Sequence, residues 1–183
     1  MQTAEKQQQD LIAEFWQASC QFYEKKDSKA LLLGLQDEFG YSVNRLLFAL
    51  WFSQLFHQIV DSKQFSRLLT ALEMSEQSVI ELRITRRLFE GRHTKPYLGN
   101  LNMTRYHMLE GELSIEKEIQ SILVSEFCEG KLCPASPLSV ETLEFLIAEN
   151  ISILCANVTL PQESATQQLS MLWIRHQGCY NSD

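Results

Sequence analysis

Apolar positions along the chain recur at helical rather than strand spacing, and they are densest in residues 31–60, LLLGLQDEFGYSVNRLLFALWFSQLFHQIV. Every residue from Leu46 to Phe52 is apolar. A helix over about 42–60 is therefore predicted to be buried on nearly all sides and to form the centre of the fold. Its start is marked by Ser42, an N-cap whose hydroxyl can accept from a free backbone N–H of the first turn. Gly40 closes the preceding helix, because helix C-termini favour a left-handed residue. The two helices should pack as a tight hairpin. Gln54, His57, Gln58 and Asp61 share one face at helical spacing, so the central helix should end half exposed. Arg45 and Ser53 interrupt the apolar run well short of the roughly 20 residues of a membrane span.

The rest of the pattern predicts helices around this one. Residues 1–9 are Gln-rich, lack periodicity and are expected to be disordered. Asp10 caps a first helix whose Ile12, Phe15, Trp16, Ser19, Phe22 and Tyr23 lie on one face and should dock on the hairpin. A charged turn, Glu24 to Asp27, leads into a helix over Ser28–Glu38. After the central helix, Asp61 or Ser62 starts a helix through Leu72, and Ser75 with Glu76 starts another to about Arg92. Pro96 and Gly99 mark a loop over 94–102, a candidate lobe boundary. A helix from Met103 or Thr104 to Phe127 follows, with Gly111 as a candidate kink. Ser139 caps a helix through Cys155, and Pro161 opens a last helix that stops at Gly178, leaving 179–183 as a tail. The expected fold is all-α, an irregular bundle of roughly eight helices forming a single domain over 10–178.

Composition narrows the function classes. A net charge of −7 argues against nonspecific binding of nucleic acid or anionic membrane by the surface as a whole. The five cysteines are odd in number, and Cys20 and Cys155 fall within helical patterns as small apolar residues do. The polar N-terminus lacks an apolar core and is not expected to act as a signal peptide. These features point to reduced thiols and the cytoplasm.

Two amides stand where apolar residues are expected. Asn44 lies on the face of Leu47, Phe48 and Trp51, and Gln36 on the face of Leu32, Leu35 and Phe39. A buried amide without a partner costs about 1–3 kcal/mol, so each should be bonded: to the other, to a helix end, to water, or to Trp16 or Tyr23. The alternative is a polar floor to a small-molecule pocket, with Gln36, Asn44, Trp16, Tyr23 and Trp51 around it.

The same residues carry a resemblance. Phe15-Trp16, Tyr23, Leu35-Gln36-Asp37, Gly40, Val43-Asn44, Leu47-Phe48 and Trp51 together resemble the signature of an uncharacterised proteobacterial family, domain of unknown function 2390. The resemblance implies a small bacterial protein of about this length and carries no catalytic residues.

Arg83, Arg86 and Arg87 share a helix face with Glu90, and Arg92, His93 and Lys95 follow, the one basic concentration in an acidic chain. It reads either as a solvated face with Glu90 pairing Arg86 or Arg87, or as a docking patch of Arg83, Arg86, Arg87, Arg92 and Lys95 for an acidic partner. Nucleic acid fits poorly, since no aromatics interleave the arginines. Cys128, Cys133, His176 and Cys179 are a candidate zinc set, and His107 with Glu110, Glu112 or Glu116 a second candidate metal set. No nucleophile elbow, P-loop or dinucleotide fingerprint is present, so the reading leans against an enzyme and expects no cofactor. The expectation is a non-catalytic accessory domain that binds another protein through a helical face or the basic patch, with a ligand pocket near Gln36 and Asn44 as the alternative.

Overall fold

The computed structural model describes residues 2–92, 100–129, 131, 136, 138–158 and 162–177. Among these the chain forms seven helices and no strand: α1 Gln2–Tyr23, α2 Lys26–Phe39, α3 Val43–Phe56, α4 Ser62–Arg92, α5 Asn100–Cys128, α6 Val140–Leu154 and α7 Glu163–His176. The helix α3 is the central element. Every residue from Asn44 to Ser53 is buried, and α1, α2, α5 and α6 pack around it.

The ends of α3 follow from local chemistry. Ser42 accepts from the Arg45 N–H at 3.4 Å, and Gly40 takes φ +76°, donating its N–H to the Gln36 carbonyl at 3.1 Å. A side chain at Gly40 would be strained in that left-handed conformation. The C-terminus corrects the expected end at Val60. Helix α3 stops at Phe56, where His57 turns left-handed at φ 54° and donates its N–H to the Ser53 carbonyl. The buried Asn150 of α6 holds the segment beyond: its Oδ1 accepts from Val60 N–H at 2.7 Å, and its Nδ2 donates to the Gln58 carbonyl and to Ser53 Oγ. Polar groups freed by ending the helix are thus satisfied by another helix.

Other boundaries also move. Helix α1 begins at Gln2 rather than Asp10, because Ala, Glu, Lys and Gln are strong helix formers even without an apolar face. Ser75 does not start a new helix; α4 runs 31 residues without a break. Hydroxyls within it bond back to the preceding turn, Ser66 to Ser62, Ser78 to Met74 and Thr85 to Glu81, so serine here continues the helix instead of capping one. Helix α5 likewise continues through Gly111, beside Leu82 of α4. The Ser139 cap holds, with its Oγ accepting from Thr142 N–H at 3.2 Å. Most of the 94–102 loop, Pro161 and Gly178 lie outside the described residues.

Candidate functional site: an open cleft along α4

An open cleft of about 830 Å³ lies between the α2–α3 turn and one face of α4. Gln36, Tyr41, Val43 and Asn44 form one wall, and Met74, Ile80 and Ile84 stand on the other. Gly40 at the α2–α3 turn lines the cleft opposite the long α4. On α4 the large apolar side chains Met74, Ile80, Ile84 and Leu88 are 70%, 45%, 53% and 56% exposed. Ile80, Ile84 and Leu88 repeat every four residues, and Met74 falls within the same third of the helix circumference. An amphipathic helix normally turns such a stripe inward. Here it faces out.

The polar end of the cleft is built on Arg45, which is 1% exposed. Its guanidinium forks onto Glu76, with Nε to Oε1 at 2.9 Å and NH2 to Oε2 at 2.5 Å. NH1 donates to the Leu154 carbonyl and Asn157 Oδ1, both at 3.2 Å. The charge therefore sits at the C-terminal end of α6, where the helix dipole favours a cation. Glu76 and Asn157 line the cleft. Cys155 lies just behind, its thiol pushed up to about 12 by burial, with Arg45 opposing. That thiol stays protonated and unreactive at neutral pH.

Of the sequence candidates, the structure places Gln36 and Asn44 on the cleft and Trp16, Tyr23 and Trp51 away from it. Asn44 is bonded by Gln120 of α5, whose Nε2 donates to Asn44 Oδ1 at 2.9 Å, rather than by Gln36, Trp16 or Tyr23. Gln36 lines the wall with no side-chain hydrogen bond among the described residues. Lys117 lies over the Trp16 ring and Lys29 over the Tyr23 ring. Burial first, and then the nearby Glu116 carboxylate, raises the Tyr23 phenol. Trp51 packs in the core against Phe15 and Phe48.

The arginines are engaged with carboxylates. Arg83 pairs with Glu116 and approaches Glu112, Arg86 forks onto Glu112 at 2.7 and 3.2 Å and reaches Glu90, and Arg87 reaches Asp37 at 3.2 Å. Arg83 and Arg86 thus join α4 to α5, and Arg87, more than half exposed, joins α4 to α2 across the cleft mouth. Burial raises the Glu116 carboxyl despite Arg83, and the hydrogen bond to Glu112 raises Arg86. The side chain of Arg92, and Lys95, Cys133 and Cys179, lie outside the described residues. Cys128 is buried at the end of α5 and His176 stacks on Phe22, and no group of three metal-ligating side chains gathers among the described residues. His107 and Glu110 are within 3.3 Å of each other on the surface, but Glu112 and Glu116 are held by the arginines.

Sequence reasoning missed Arg45, Glu76, Gln120 and Asn150 as partners. Their bonds span 31 to 112 residues of chain, beyond any local spacing signal.

Fold and cleft together define an all-helical bundle around a buried central helix, with an apolar groove left open beside it. No described helix is long and apolar enough to cross a membrane. The chain belongs to the family described as protein of unknown function (DUF2390), whose model matches residues 14–123. That match spans every cleft residue named above except Asn157. No curated protein and no solved structure matches the chain.

Proposed function

We propose that the protein is a non-catalytic accessory protein of the bacterial cytoplasm whose α4 cleft receives an amphipathic helix of a partner protein. The observation that carries this reading is the exposed row of Met74, Ile80, Ile84 and Leu88 on α4, the first three of which line the cleft. Helix-in-groove recognition uses anchors at this spacing. The charged groups around the groove support an apolar occupant, because Arg45, Arg83 and Arg87 are neutralised by Glu76, Glu116 and Asp37. Free thiols at Cys20 and Cys155 support a reducing compartment, and the bacterial source rests on the family resemblance. A second reading is favoured by Gln36 and Asn44 on the wall of a cleft whose volume suits a small molecule.

Affinity capture from the native host tests the proposal, comparing the wild type with an Ile80→Glu/Ile84→Glu variant. Both residues are exposed, so the variant should melt like the wild type. A stoichiometric protein held by the wild type and reduced at least about tenfold in the variant is the expected result. Capture that does not change, or a recurrent small molecule released on denaturation with no protein partner, would contradict it.

A further inference from the structure

A second groove, of about 810 Å³, runs between α6 and α7. Between Lys131 and Arg175 the chain carries no lysine, arginine or histidine. Its four carboxylates in that stretch, Glu141, Glu144, Glu149 and Glu163, all line this groove. Single-sign charge over an entire groove is a different situation from the α4 cleft, where each arginine has its carboxylate. The groove also offers apolar contact. Phe145 is 57% exposed beside it, Ile151 and Val158 contribute to its lining, and Ala148 and Ala156 keep the α6 side low enough for a helix backbone to approach.

We propose that the α6–α7 groove docks a cationic amphipathic helix of a partner protein, with Phe145 as the apolar anchor and the glutamates pairing with lysine or arginine along its flanks. Charge complementarity selects this occupant. An acidic segment would meet like charge along the groove, and a neutral apolar helix would leave its glutamates without cationic partners. A hydrogen bond from its own backbone N–H, and then one from Ser139, lowers the Glu141 carboxyl, and Glu163 sits in the first turn of α7 where the helix dipole offsets it, so the free attraction comes chiefly from Glu144 and Glu149. The groove adjoins the α4 cleft at Tyr41, the one residue lining both, and none of its four glutamates lines that cleft.

The test uses a fluorescent synthetic helix built of leucine and lysine, with a leucine–glutamate helix of the same pattern as control, read by anisotropy on the full chain. Saturable binding of the lysine peptide alone is expected, weakening as salt rises. Phe145→Ala should weaken it about tenfold, and Glu144→Gln/Glu149→Gln about two- to fivefold. A matched pair outside both clefts, Glu14→Gln/Glu118→Gln, should leave it unchanged. Equal weakening by the matched pair would mean general attraction to an acidic protein and would overturn the proposal. Loss of binding in the Ile80→Glu/Ile84→Glu variant but not in Phe145→Ala would place the peptide in the other cleft and overturn it too. So would a dimer of the protein alone that Phe145→Ala dissociates, since the groove would then be occupied by a second copy.

Discussion

Arg45 concentrates the energetic risk of the fold in one side chain. A guanidinium at 1% exposure is tolerable only because Glu76, Leu154 and Asn157 accept its hydrogen bonds and Phe65 lies 5.3 Å from it. Removing it strands Glu76 and two oxygens. Arg45→Ala should therefore destabilise the protein by about 3–5 kcal/mol in denaturant unfolding. Arg45→Lys should recover little, because an ammonium cannot reproduce the fork onto Glu76. A loss below about 1 kcal/mol, the range of an exposed pair, would contradict the account. In the sequence Arg45 reads as a residue that merely bounds an apolar run, because nothing within a few positions betrays its partners. Ser42 and Ser139, by contrast, were legible as caps: each bonds a residue three positions on, and that spacing is written in the chain.

At the scale of elements, α4 and α5 are joined by a ladder of opposite charges. Arg83 and Arg86 reach Glu112 and Glu116, and Glu90 closes the ladder by accepting from Arg105 at 2.6 Å. Both halves were visible in the sequence, one as a basic run and the other as a carboxylate set around His107. Their pairing was not, since it depends on how two long helices align. The continuity of α4 was hidden for a related reason. Ser75 and Glu76 imitate a helix start, whereas Glu76 is committed to Arg45. The ladder makes a pH prediction. The Arg105 hydrogen bond, with Arg86 adding to it, holds the Glu90 carboxyl below the usual glutamate range against a smaller opposing effect of burial. Its folded pKa is lower than its unfolded one, so its stabilisation is present at neutral pH and lost as pH falls through the folded value. NMR titration of the Glu90 carboxyl should show a depressed midpoint that rises in Arg105→Gln. A midpoint that does not move between the two proteins would contradict the pairing.

For the molecule as a whole, the buried helix after Gly40, the all-helical class and the two amides facing one region were readable from spacing and caps. The cleft was not. It is assembled from the α2–α3 turn, α4, Ile119 of α5 and Asn157, and only the folded arrangement shows that the apolar stripe of α4 has been left uncovered. In the function proposed above this stripe is a docking surface. That role is tested most directly by placing a photo-crosslinking amino acid at Ile84 in the native host, with the same group at exposed Glu24 as the control. A discrete adduct between the Ile84 protein and a second protein, absent from the Glu24 protein, is the expected result. No adduct at Ile84, the same pattern at both positions, or adducts only between copies of the chain itself would contradict it.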